Sequence, residues 1–142
     1  MFQNRHAAPL REISHNALRI VFGLMFMQHG AQKLFAAFGR ERAVELFSQT
    51  GLAGVLEVYG GALLVLGLFT RPVAFVLSGE MAWAYFQSHF QPDFPDGWIP
   101  IMNRGELSVL FCFAFLFMAF NGGGVFSVDG LLKRRREAAR EE

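Results

Sequence analysis

The residues able to do chemistry in this chain are few, and most of them stand in apolar surroundings. His29 and Lys33 are four apart, so on a helix they lie one turn from each other on the same side. Glu57 has Ala53, Gly54, Gly60 and Gly61 at −4, −3, +3 and +4. That puts its carboxylate on the smallest face of a helix, where a second helix can come close. Glu80, Ala84 and Gln87 share a face, with Trp83 beside them. Gln28, Gln32, His89, Arg104 and Glu106 complete the polar set. A charge at the centre of a bilayer helix costs about 2.5–3.5 kcal/mol, so each such group needs a partner or a purpose. Two readings stand. In one, the residues are ion pairs and hydrogen bonds that hold helices together, such as Lys33 with Glu57 or Glu106. In the other, His29, Lys33, Gln32, Glu57, Glu80 and Glu106 line a site for a small molecule, with Glu57 or Glu80 carrying protons.

Other chemistries find little support. No HxxxH, ExxH or cysteine spacing provides a pair of metal ligands, so no metal site is expected. His29 and His89 are two imidazoles that could hold one haem, a weaker reading than the pocket. The single cysteine, Cys112, excludes an internal disulfide and a CxxC redox pair. Set among Phe residues, it reads as a packing residue. There is no nucleotide loop, no Ser-His-Asp arrangement, no paired-carboxylate signature, and nothing recognisable for flavin or an iron–sulfur cluster. Catalytic residues are therefore unassigned and no resident cofactor is expected.

The elements that must position these groups follow from composition. In 142 residues, 53% are hydrophobic, 18% are charged and 17 are Phe, with a mean hydropathy of +0.30. This excludes disorder, allows one domain, and is too apolar for so small a soluble monomer to hide. Four apolar stretches stand out, at about 17–38, 51–69, 72–90 and 105–121. Leu107–Phe120 offers only Ser108 as a polar side chain, and Gly51–Phe69 only Glu57 and Tyr59. Helices apolar on all sides belong in a bilayer or deep inside a larger protein, and about 20 apolar residues cross one. The expectation is an all-α integral membrane four-helix bundle. Residues 1–16 precede the transmembrane domain, residues 17–132 form it, and the charged tail 133–142 follows. The polar start, Met1–Arg11, has no apolar core of the kind a cleavable signal carries.

Orientation follows from Lys and Arg. With four spans, both termini share a side with the Thr70–Pro72 turn. That side holds Arg5, Arg11, Arg19, Arg71, Lys133, Arg134, Arg135, Arg136 and Arg140, nine of the 13 basic residues, and the other holds Lys33, Arg40, Arg42 and Arg104. Both termini are expected in the cytoplasm of a bacterial inner membrane. The alternating helices then bring His29, Lys33, Glu57, His89, Arg104 and Glu106 to the outer half. On the inner side Arg19, Arg71 and Asp129 are candidates for structural ion pairs, with Asp129 tying the tail beneath the bundle. The run Lys133–Arg136 reads as a topology determinant that meets anionic lipid, not as a nucleic-acid site.

Three groups of residues carry a resemblance. Leu18-Arg19-Ile20-Val21-Phe22-Gly23-Leu24, His29-Gly30-Ala31-Gln32-Lys33-Leu34-Phe35 and Phe38-Gly39 resemble the opening span of the DoxX family of small bacterial membrane proteins. Glu57–Leu64 and Gly67–Arg71 resemble its second span and turn. Glu106-Leu107 and Gly122–Asp129 resemble its fourth span and closing segment. The resemblance implies a four-helix membrane protein whose relatives include the DoxD subunit of thiosulfate:quinone oxidoreductase. It implies an accessory or anchoring subunit of a membrane oxidoreductase, with an oxidoreductase partner supplying the electrons. A quinone needs donors at its carbonyls and a flat apolar slot, which the outer cluster and its aromatic residues could offer. The alternatives are a membrane chaperone or assembly factor, a small transporter, or an oligomeric structural subunit packing through Gly60, Gly61 and Gly67.

Overall fold

Apolar side chains from four helices meet in one core: Phe26 from the first, Leu64 from the second, Ala74, Leu77 and Met81 from the third, and Phe111, Phe115 and Met118 from the fourth long apolar helix. The computed structural model describes residues 7–141. Its elements are α1 (Ala7–Phe35), α2 (Gln49–Leu66), α3 (Thr70–Ser88), the single turn α4 (Pro100–Asn103), α5 (Glu106–Asn121) and α6 (Val128–Glu141). Among the described residues there is no strand. The helices associate as two close pairs, α1 along α2 and α3 along α5. The pairs meet through a shorter α2–α3 seam and a slight α1–α5 contact.

Local chemistry explains most of the helix limits. α1 begins ten residues before the apolar stretch does, because Pro9 falls in the first turn, where its missing N–H costs nothing. It stops at Phe35, three residues short of the expected end, because Ala36 and Phe38 take left-handed backbone angles (φ 50° and 52°). Ser48 caps α2 by accepting a hydrogen bond from the Gly51 N–H at 3.0 Å. Gly67, at φ 67°, ends that helix in the left-handed conformation.

Gly30 and Gly61 explain how α1 and α2 lie so close. A Cβ on Gly30 would stand 2.6 Å from the Gly54 carbonyl oxygen, and one on Gly61 would stand 2.7 Å from that of Gly23. The two backbones therefore touch where only hydrogen leaves room.

The outside of the helices is as apolar as the inside. Leu52, Leu66, Phe75, Phe86, Leu110, Phe113 and Phe120 all point outward, Phe120 with 72% of its surface exposed. An apolar surface of this extent needs a cover that the described residues do not provide. By length and hydropathy, α2 is the helix among the described residues that meets the ordinary criterion for a membrane span, and α5 is equally apolar but only 16 residues long. The other two expected spans are interrupted by polar groups, Arg19, His29 and Lys33 in α1 and Glu80 in α3.

Candidate functional site

A cavity of about 570 Å³ opens between the two helix pairs. Its wall takes Phe26, His29 and Lys33 from the C-terminal half of α1, and Thr50, Ala53 and Glu57 from the first turns of α2. Glu80, Met81, Trp83 and Ala84 of α3 and Leu107, Ser108 and Phe111 of α5 close it. These are the ends that alternating helices bring together.

Lys33 Nζ donates to Glu57 Oε1 at 2.6 Å, and the Glu57 residue is only 4% exposed. The other oxygen of this carboxylate, Oε2, is buried with no hydrogen-bond partner, and so are both carboxyl oxygens of Glu80. Unpartnered buried polar atoms are rare and costly. Glu57 and Glu80 both line the cavity, so these three carboxyl oxygens without a protein partner belong to residues of its wall. His29 presents its ring edge-on to Phe111, with centroids 5.9 Å apart. At the mouth, Gln49 and Gln87 donate to each other's amide oxygens at 2.7 and 2.8 Å, bridging α2 to α3.

Of the six residues expected at this site, His29, Lys33, Glu57 and Glu80 line the cavity. Gln32 and Glu106 do not; Glu106 begins α5 with its side chain exposed. Gln28 is also exposed. His89 and Arg104 reach the rim. Among the described residues no group of three His, Cys, Asp or Glu side chains is arranged to hold a metal ion.

Sequence reasoning reads residues 91–100 as an ordered, non-helical loop beside the cavity but does not show what orders it. Asn103 is its hub: the side-chain amide donates to the Gly97 carbonyl at 2.9 Å and to the Tyr85 hydroxyl at 3.1 Å, and its oxygen accepts from the Gly105 N–H at 2.8 Å. The Tyr85 hydroxyl in turn donates to the Trp98 carbonyl. One asparagine thus folds the Pro-rich segment over the end of α3. No spacing signal in the sequence marks it.

At the opposite end the expected ion pairs among Arg19, Arg71 and Asp129 are replaced by a backbone lock. Arg19 is 0% exposed. It donates to the carbonyls of Gly123 (2.9 Å), Phe126 (2.8 Å), Val65 (2.7 Å) and Leu64, and to Asn16 Oδ1 (3.3 Å). Helix ends and tight turns leave carbonyls without intrahelical partners, and a guanidinium with five N–H donors answers several at once. Asp129 instead accepts from the Phe69 and Thr70 N–H groups at 2.9 and 2.8 Å, capping α3, whose own N-cap residue, Phe69, has no side chain for that task. Among the described residues Asp129 makes no ion pair with Arg19 or Arg71, and Arg71 is exposed. His15, which sequence reasoning passed over, joins the lock through Nε2 and the Gly122 carbonyl at 2.9 Å. His6 lies outside the described residues.

The model of the DoxX family matches residues 15–90, from the start of the lock through the end of α3. The chain belongs to the DoxX family. The match spans Arg19, His29, Lys33, Glu57 and Glu80 and stops short of Glu106 and Asp129. Among curated relatives, an "uncharacterized protein" of Haemophilus influenzae is 40% identical over 79% of this chain and 85% of its own length. An uncharacterized membrane protein of Mycobacterium tuberculosis is 29% identical over 85% of this chain and 82% of its own. The inner membrane protein YqjF of Escherichia coli is 26% identical over 89% of this chain and 97% of its own. No solved structure matches the chain. This DoxX chain is a bacterial membrane protein.

Proposed function

We propose that this DoxX protein crosses the inner membrane four times, with both termini in the cytoplasm, and is the lipid-embedded accessory subunit of a membrane oxidoreductase. The cavity at the outer ends of its helices is read as a site for a quinone head group. One observation carries the reading: Glu57 Oε2, Glu80 Oε1 and Glu80 Oε2 are buried on the cavity without partners, beside the donors Lys33 and His29. A quinol supplies hydroxyl donors to those oxygens, and a quinone supplies carbonyl acceptors to Lys33 and His29. Phe26 and Phe111 give the ring a flat apolar wall. On this reading the electrons come from a partner, since the sequence holds no recognisable flavin or iron–sulfur motif.

The second reading is structural. The 2.6 Å contact of Lys33 with Glu57 is also a bond between α1 and α2, and bundle cohesion alone would justify it. That reading leaves the two orphaned oxygens of Glu80 unexplained.

The test is native mass spectrometry of the protein in mild detergent, with a lipid extract of the same sample. A stoichiometric quinone, lost in the Glu80→Gln and His29→Ala variants that still fold, supports the site. A wild-type protein that carries no quinone and takes up no short-chain quinol or quinone on titration overturns it in favour of the structural reading.

A further inference from the structure

Helix α6 has no buried residue, yet its start is firmly held. The Asp129 N–H donates to the Gly67 carbonyl at 2.9 Å, the Asp129 carboxylate caps α3, and Arg134 Nη2 reaches back to the Val125 carbonyl at 3.2 Å. At 3.6 residues per turn, Val128, Leu131, Leu132, Ala138 and Ala139 fall on about one third of the helix circumference. Arg134 and Arg136 lie on the two borders of that stripe, and Arg135 lies within it. Glu137 and Glu141 fall on the far side, where Lys133 stands 3.8 Å from Glu137. Leu131 and Leu132 are exposed, as are Phe126 just before the helix and Phe69 at the turn that Asp129 caps.

Among the described residues nothing covers this stripe, and the sorting of charge says what would. Apolar side chains bordered by arginines, with the acids turned away, suit a helix lying in the plane of a bilayer surface. The leucines enter the acyl boundary and the arginines extend to the headgroups. Nucleic acid would meet the arginines but leave the leucines in water. We propose that α6 lies flat on the leaflet at its own end of the protein and docks there on anionic phospholipid headgroups through Arg134, Arg135 and Arg136. This rests on the membrane topology proposed above and not on the quinone site, so the two can fail separately.

The experiment uses the full chain in lipid nanodiscs, with Cys112→Ser and Ala139→Cys carrying an environment-sensitive fluorophore. Discs of phosphatidylcholine alone are compared with discs that also contain phosphatidylglycerol. With phosphatidylglycerol present, the label is expected to be quenched by brominated acyl chains and shielded from aqueous iodide. At about one lipid-attracted charge per arginine, Arg134→Gln/Arg135→Gln/Arg136→Gln is expected to lower the ratio of docked to free helix roughly a hundredfold. Added salt should act in the same direction. Leu131→Ser/Leu132→Ser should free the label even with the arginines intact. Equal docking on phosphatidylcholine alone overturns the anionic selectivity, and a label open to iodide in every disc overturns the docking.

Discussion

Replacing Arg19 by Met isolates the backbone lock, because Met fills a similar length without donors. The guanidinium satisfies carbonyls from three places, the end of α2 (Leu64, Val65), the Gly123 peptide and Phe126. The Leu64 carbonyl keeps a second donor in the Gly67 N–H at 3.0 Å, so it loses least. Those of Val65, Gly123 and Phe126 lose a charged donor, in a buried contact at Gly123 and in half-buried ones at Val65 and Phe126. At about 1–3 kcal/mol for each buried group left unsatisfied, and with partial relaxation, the total is about 3–5 kcal/mol. That corresponds to a fall in melting midpoint on the order of 10 °C for a chain of this size. The assay is size-exclusion chromatography of the detergent-solubilised protein after heating, with Arg42→Gln in the exposed α1–α2 loop as the control. Arg19→Lys should fall between, because an ammonium has three donors and no planar fork. An Arg19→Met protein that melts with the Arg42→Gln control would refute the view that this buried cation holds the end of the protein together.

Asp129→Asn keeps one acceptor oxygen for the two N–H groups it now caps, so it should cost about 1 kcal/mol, read as a smaller fall in the same melting assay; a midpoint equal to wild type sinks the capping role. Lys33→Met should be more destabilising than the double variant Lys33→Met/Glu57→Leu, since removing one partner strands a buried charge and removing both does not; equal losses in thermal melts would mean the pair is not electrostatically coupled. Gly30→Val should force α1 from α2, given the 2.6 Å approach of a Cβ to the Gly54 oxygen, at about 1–3 kcal/mol or more; a variant expressed and melting like wild type would show that the two backbones are not in contact. Asn103→Ala should leave the melting of the helices nearly unchanged but raise amide hydrogen exchange across residues 90–105, and unchanged exchange there would deny Asn103 its role as hub of the loop.

The apolar stretches were legible because each helix is apolar on nearly every side, a pattern that needs no knowledge of neighbours. The small faces flanking Glu57 announced a close helix contact, and the α1–α2 approach at Gly30 and Gly61 is of that kind. Lys33 was open between two acids, and only the packing of α1 on α2 selected Glu57 over Glu106. The inner cluster was misread in its partners. Sequence offers Arg19, Arg71 and Asp129 as charges, and charges invite pairing. It does not display the backbone carbonyls and N–H groups that the turns at 67–70 and 122–127 leave open, and those captured Arg19 and Asp129 instead.

Membership of the DoxX family, helical class and membrane character were determined by the sequence alone, because they depend on residue type and on periods of one or two turns. The tertiary structure decided which polar groups share a cavity, that Glu80 faces it with no partner of its own, and that Asn103 governs the neighbouring loop. Those facts depend on the angle and depth at which four helices pack, and on where main-chain groups are left unpaired. Neither is written in the identity of any one residue.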